Sequence, residues 1–334
     1  MKKIITLSML LMATVLFAQE EEPAKKVSIS GSVDTYYQTL LTAPDTSGQS
    51  FGTSFADETG FALGMANIIA SYEGEKTGVV ADVVFGPRGD AAIGQDLGMG
   101  NEGYYLNQLY AYWNVSEGTT LTIGRFNTFL GYEVISPVGN FNYSTSYLFS
   151  SGPFSHVGLK ADFSLSEDFS LMLAFMNPTD VNNNMTGGYA LGAQLGYAGQ
   201  FLNLYYDDDE VLGFEIDYTG GFDLSDAFFL GINGAYQTSD DAGFYGAALY
   251  PQFATSDAFS IGLRGELFGY HAKDVDDLPS VFAATLTGSY TLENLIIKPE
   301  IRLDSWSNDE PYFDSDGAAS ESLAAFTLAA IYSF

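Results

Sequence analysis

The 334-residue chain contains no cysteine, only two histidines, and 12 lysines and arginines against 42 aspartates and glutamates. Each shortage excludes something. Without cysteine there are no disulfide staples, no thiolate metal sites and no thiol chemistry. A formal net charge of −30 repels phosphate backbones, which removes nucleic acid as a partner. Beyond residue 18 no apolar run reaches 18 residues, the length a helix needs to cross roughly 30 Å of hydrocarbon. His156 and His271 do not sit at zinc-ligand spacing, and neither a G-x-S-x-G elbow nor a phosphate-cradling loop occurs. No catalytic residue, metal site or cofactor is therefore assigned. The one enzymatic alternative is His156 beside Ser155, completed from distant strands.

Lys2 and Lys3 precede an apolar run from Ile4 to Phe17, which closes at Ala18 before Gln19 and three glutamates. A basic start, a short greasy stretch and a small residue at the cut are the marks of a cleaved export signal over 1–18. Residues 19–26 are then a periplasmic N-terminal segment. With 22 Tyr, 26 Phe and 46 % hydrophobic residues, the remainder is too apolar to stay disordered. A large exported chain without disulfides must be held by extensive burial or by a bilayer.

The apolar period along that remainder is two. Val27, Ile29, Gly31 and Val33 alternate with Ser28, Ser30, Ser32 and Asp34, and Val79, Ala81, Val83 and Phe85 flank Asp82. Val157, Leu159, Ala161 and Phe163 interleave with Lys160 and Asp162, and Leu212, Phe214, Ile216 and Tyr218 with Glu215 and Asp217. Toward the end, Phe259, Ile261, Leu263 and Leu267 oppose Arg264, Glu266 and Tyr270, while Leu295, Ile297, Ile301 and Leu303 oppose Lys298, Glu300, Arg302 and Asp304.

About sixteen such segments fall near 27–39, 62–73, 77–86, 104–116, 119–127, 156–165, 169–177, 188–198, 200–206, 211–219, 227–237, 243–253, 258–270, 280–290, 294–305 and 321–334. Most exceed the usual soluble strand of about 5–6 residues and match the ~9–11 a tilted strand needs to span a membrane. Tight turns at 74–76, 117–118, 166–168 and 292–294 alternate with longer connections at 40–61, 87–103, 128–155, 271–279 and 306–320. Short turns on one side and long loops on the other characterise outer-membrane barrels. The expected fold is all-β: a transmembrane, antiparallel, up-and-down β-barrel over 27–334 with long extracellular loops. A secreted β-sandwich would also alternate, but strand length and the charges opposite the apolar face favour the barrel.

The last strand carries Phe326, Leu328, Ala330, Tyr332 and Phe334 on one face. A terminal strand of this kind, ending in Phe334, resembles the assembly signal of bacterial outer-membrane barrels, which implies outer-membrane lipids and the barrel-assembly machinery as partners. A second resemblance lies in mid-chain. Gly124-Arg125-Phe126, Gly131-Tyr132-Glu133, Asn142-Tyr143-Ser144, Gly152-Pro153 and His156-Val157-Gly158 look like the strand-loop-strand core of the OmpL-like β-barrel porins. The motif covers about 35 residues, and the resemblance implies a porin more firmly than any substrate.

On the barrel reading, Asp34, Asp82, Lys160, Asp162, Glu215, Asp217, Arg264, Glu266, Lys298, Glu300, Arg302 and Asp304 are the pore-lining candidates. Charged rings on a pore wall set ion preference, and the excess of carboxylates points to weak preference for cations. The loop 128–155 carries Tyr132, Glu133, Phe141, Tyr143 and Tyr147 as constriction candidates, because a long loop in a compact protein is usually functional. A lid outside the barrel is the alternative. Tyr104, Tyr105, Trp113, Tyr250, Phe253, Tyr290 and Trp306 are candidates for interfacial girdles. Acidic runs at 207–210, 240–241 and 274–277 read as outer loops without calcium-loop spacing, and Arg88-Gly89-Asp90 reads as a turn rather than an adhesion motif. The leading function is diffusion of small hydrophilic solutes through a water-filled lumen. Its rival is a structural or adhesive barrel with a plugged lumen.

Overall fold

The computed structural model describes residues 26–94 and 105–334. The expected signal at 1–18, residues 19–25 and Tyr104 lie outside the described residues. Strands β1 (Lys26–Leu40), β2 (Gly60–Glu73), β3 (Thr77–Phe85), β4 (Leu106–Ser116), β5 (Thr119–Asn127), β6 (Ser155–Ser164), β7 (Phe169–Met176) and β8 (Ala190–Tyr197) form the first half of a single sheet. The second half is β9 (Gln200–Tyr206), β10 (Phe214–Asp223), β11 (Phe228–Ser239), β12 (Ala242–Ala254), β13 (Phe259–Ala272), β14 (Ser280–Leu292), β15 (Leu295–Ser307) and β18 (Ser322–Ser333). Neighbours in sequence pair antiparallel throughout, and β18 pairs with both β15 and β1, so the sheet closes into a sixteen-stranded barrel. Closure leaves no edge strand to be blunted. A small hairpin, β16 (Tyr312–Phe313) and β17 (Ala319–Ser320), decorates the connection between β15 and β18. No helix among the described residues is long and apolar enough to cross a membrane.

The period-two pattern becomes the two faces of this wall. Register pairs Arg264 with Thr285 and Thr285 with Arg302, while Leu263 pairs with Leu286 and Leu286 with Ile301. The first row points into the barrel and is buried; the second points out and is exposed, Leu263 to 43 %. Leu159, Leu173, Leu195, Leu249, Leu267 and Leu328 are exposed on the same outer surface. A continuous apolar belt of this size is far beyond what a soluble monomer presents to water, and it is what a bilayer covers.

Connections at 74–76, 117–118, 165–168, 198–199, 224–227, 255–258 and 293–294 lie at one end. Ala198 and Gly199 both have positive φ, as a two-residue hairpin turn requires. The other end carries 41–59, 86–94, 128–154, 177–189, 207–213, 273–279 and 308–321, but also the two-residue turn Asp240–Asp241 between β11 and β12. Three expectations are corrected. Leu212 is not on a strand face; it is buried in the 207–213 connection. Tyr250 and Trp306 do not join a girdle, because register places them inward with Gly231 and Val281. The apolar stretch around Tyr250 hides its phase, whereas Trp306 simply continues the phase of Arg302 and Asp304.

The lipid-facing assignment has a direct consequence. Leu263→Arg should lower the stability of the bilayer-folded barrel by about 2–4 kcal/mol, while Leu263→Phe should be nearly neutral, as measured by denaturant unfolding from vesicles. Equal effects of the two would contradict an apolar environment at that position.

Candidate functional site inside the barrel

The inward faces of β13 and β15 present Arg264 and Glu266, and Lys298, Glu300, Arg302 and Asp304, at successive inward positions, and the segment 128–154 lies against them. Arg264 is fully buried and bonds Glu133 of this loop at 2.7 Å. It also donates to the carbonyls of Ser144 at 2.6 Å and Thr145 at 3.2 Å. Glu300 accepts from the backbone N–H of Tyr143 at 2.8 Å and of Ser144 at 3.0 Å. Glu266 does the same for Tyr147 at 3.0 Å and Leu148 at 2.8 Å, at the start of the short helix α2 (Tyr147–Ser151). Ser146 caps that helix through Phe149 N, and Glu133 accepts from both the N–H and hydroxyl of Ser146. Lys298 donates to the carbonyls of Pro137 and Asn140. Arg302 is paired with Asp304 through two 2.8 Å bonds and donates to Thr145 O and Thr53.

These are charge-assisted bonds to backbone groups in a dry setting. Loop residues 143–146 have no regular structure and the first N–H groups of α2 find no partner within the helix, so these backbone groups need partners once buried. The wall supplies them. Removing one member of the Arg264–Glu133 pair would strand a buried charge, at a cost of about 3–5 kcal/mol.

Tyr143 donates to Asp34 at 2.6 Å and Tyr147 to Asp304 at 2.8 Å. Burial, reinforced by those neighbouring carboxylates, pushes both phenols up from their usual range. They therefore remain protonated donors at any physiological pH. Apolar contacts use gaps in the wall. Tyr132 stacks on Tyr250 at 4.3 Å over Gly231, where an added Cβ would lie 2.2 Å from the Tyr132 oxygen. Phe141 sits over Gly262, whose Cβ would meet its ring at 2.4 Å.

Two further segments hold the loop from outside. Phe51 and Phe55 of the 41–59 connection are buried, Phe51 beneath the Arg302 guanidinium at 4.4 Å and Phe55 against Phe149 and Phe154. Arg88, on the short helix α1 (Pro87–Ala92), is buried and donates to Ile135 O at 2.9 Å. The Arg88-Gly89-Asp90 tripeptide is thus helical, with its arginine inaccessible to a partner.

All twelve pore-lining candidates are placed on the inner side of the wall. Asp34, Glu266, Glu300, Lys298, Arg264, Arg302 and Asp304 are buried under loop 128–154. Asp217 accepts from Gly131 N at 3.0 Å and from Asn203 and Asn233. Asp82 bonds Asn67 and Asn107, and Glu215 is buried with one carboxylate oxygen unpartnered. Lys160 and Asp162 differ. They pair at 2.8 Å with side chains 25 % and 41 % exposed, toward the turn end of the lumen. His156 bonds Thr128 rather than Ser155, whose hydroxyl goes to Asp180, so no Ser–His pair forms. Asp207 is buried, accepting from three backbone N–H groups of 211–213, and no metal-binding cluster occurs among the described residues. Arg88, Phe51, Thr53 and Thr145 were not legible as site residues, since nothing in their local sequence marks them.

A closed sixteen-stranded barrel with an apolar exterior, a charged interior and a long loop folded inside has the build of a porin-type barrel. The family described as putative beta-barrel porin-2, OmpL-like, matches residues 26–334, and the chain belongs to that family. No curated protein sequence matches it. Among solved structures it is similar to an anion-selective porin from Comamonas acidovorans (10 % identity, TM-score 0.57, 93 % of this chain and 100 % of that one). It is also similar to a mutant of the Rh. blastica porin (12 %, 0.56, 92 % and 100 %) and to the outer-membrane protein OmpT of Vibrio cholerae (10 %, 0.55, 94 % and 99 %). At these identities the likeness is one of fold.

Gly231→Val tests whether the loop is seated by the wall. Valine suits a strand but fills the Tyr132 seat, and overpacking costs about 1–3 kcal/mol. Protease cleavage within 128–154 should accelerate roughly tenfold while the barrel stays folded. Unchanged cleavage would mean that the glycine seat contributes nothing.

Proposed function

We propose that the protein is a bacterial outer-membrane porin through which small hydrophilic solutes or ions diffuse passively, with the loop 128–154 as its constriction. The observation that carries this reading is the opposition of faces in a closed barrel: apolar outward, charged and polar inward. Most of the inner-wall charge seats loop 128–154, so the reading needs a part of the lumen that stays in contact with water. The partly exposed Lys160 and Asp162 belong to that part.

Weak cation preference is also proposed, with its source moved from the wall to the mouth. The wall charges on β13 and β15 are neutralised by one another and by loop 128–154. At the loop end, Asp208, Asp209, Glu210, Asp240, Asp241, Asp274, Asp276, Asp277, Asp309 and Glu310 are exposed. Among the described residues of these loops, Lys273 is the one exposed base, and it pairs with Asp241 at 3.0 Å. Such a rim concentrates cations and repels anions over about a Debye length. Bilayer lipids cover the apolar belt, and Phe334 supplies the recognition feature for the assembly machinery. Its backbone already bonds Gly31 in both directions, sealing β18 to β1.

A second reading has its own observation. The burial of ten of the twelve inward charged candidates favours a plugged barrel with a structural or adhesive task. Planar-bilayer recording separates the two. The porin reading expects stepwise conductance whose reversal potential in a salt gradient favours cations, and a shift toward neutrality when Asp208, Asp209 and Glu210 become Asn, Asn and Gln. Folded protein without conductance would leave the plugged barrel standing.

A further inference from the structure

At the loop end a cavity of about 260 Å³ lies where four connections meet. Its apolar wall is Ile93 after α1, Pro153 and Phe154 after α2, and Val211 and Leu212 before β10. Arg125, near the end of β5, also lines it. This arginine is 95 % buried by its 5 % relative exposure. Its Nε donates to Asn107 O at 3.1 Å and its Nη1 to Asn182 Oδ1 at 2.7 Å, but its Nη2 has no hydrogen-bond partner. The two buried guanidiniums of the β13–β15 wall each hold a carboxylate in direct contact, Arg264 with Glu133 and Arg302 with Asp304. Among the described residues Arg125 holds none within 4.0 Å; the Asp180 carboxylate acts on it as a counter-charge without bonding its Nη2. Asp180 lines the same cavity, but its carboxylate is engaged by the N–H groups of Phe154 and Ser155.

A buried guanidinium whose outer N–H edge meets no acceptor is unfavourable unless something completes it. The complement of a planar guanidinium edge is a carboxylate. Ser150, Ser151 and Thr179 also line the cavity, but Ile93, Pro153, Phe154, Val211 and Leu212 give it an apolar side that suits a short hydrocarbon body. A phosphate or dicarboxylate would bring a second charge against that apolar wall and toward Asp180. We propose that this cavity is a solute subsite at the outer mouth, and that it takes a small monocarboxylate with its head group on Arg125 and its alkyl chain against Phe154 and Leu212. The assignment rests on the porin reading for its purpose but not for its chemistry. Its place beneath an acidic rim makes it a site of selective capture rather than of general anion passage.

The test is calorimetric titration of butyrate into the folded, detergent-solubilised full-length protein, with butan-1-ol and butylamine as controls. Saturable binding of butyrate alone is expected, weakened at least tenfold by Arg125→Gln. Because loss of Arg125 could disturb folding, Val211→Trp provides a second arm: it fills the cavity from a residue 48 % exposed on a loop and should abolish binding while leaving Arg125 in place. No saturable butyrate binding by the folded protein, or binding unchanged in either variant, would overturn the site. Conductance recorded on the same preparation keeps the two readings apart, since a barrel that binds butyrate but passes no current retains the site and loses the porin reading.

Discussion

The structure depends on charge-assisted bonds between the inner wall and the backbone of loop 128–154. Glu300 and Glu266 each accept from two consecutive N–H groups, Arg264 and Arg302 take up the carbonyls of Ser144 and Thr145 in between, and Lys298 takes those of Pro137 and Asn140. A buried irregular segment cannot satisfy its own backbone, so its position is set by whichever wall offers the missing partners. Here that wall is the charged stripe of β13 and β15. Without the stripe the loop has no reason to be inside, and without the loop the stripe would be an array of opposed charges facing water.

From that constraint the rest follows. The loop brings Tyr132 and Phe141 onto wall glycines, Tyr147 onto Asp304, and α2 under the aromatic residues of the 41–59 connection. The 41–59 and 308–321 connections then close over it, with Gln49 exchanging hydrogen bonds with the backbone of Phe313. The outer half of the lumen becomes a packed polar and aromatic core, while the turn end keeps the partly exposed Lys160–Asp162 pair. Wall charge is spent on architecture, and the acidic rim is left as the main exposed field.

The barrel was legible because its physics is local. One face in lipid and one face inside impose a period of two, and each segment from Val27 to Phe334 carries it. Strand spans agree with expectation to within a few residues, including β13 and β15, where Arg264 and Glu266, and Lys298 through Asp304, fall at alternate positions. Phase was lost only where both faces are apolar, as around Tyr250, or where a connection looks like a strand, as at Leu212. That loop 128–154 enters the barrel was open in the sequence, because its anchors are mostly backbone amides and carbonyls that no residue letter records. Arg88 and Thr53 are site residues solely by virtue of distant chain segments meeting, and no spacing announces that.

The central claim is that the charged inner stripe is the seat of the loop and not a surface in contact with water. The absence of cysteine from the chain allows a direct measurement, since a single introduced thiol is the only one present. Thr285 lies in the stripe and is fully buried, whereas the Asp162 side chain is 41 % exposed. With a small hydrophilic thiol reagent applied to the folded barrel, Asp162→Cys should label rapidly and Thr285→Cys should remain protected. Labelling of both at the same rate would contradict the account, because the stripe would then be open to solvent.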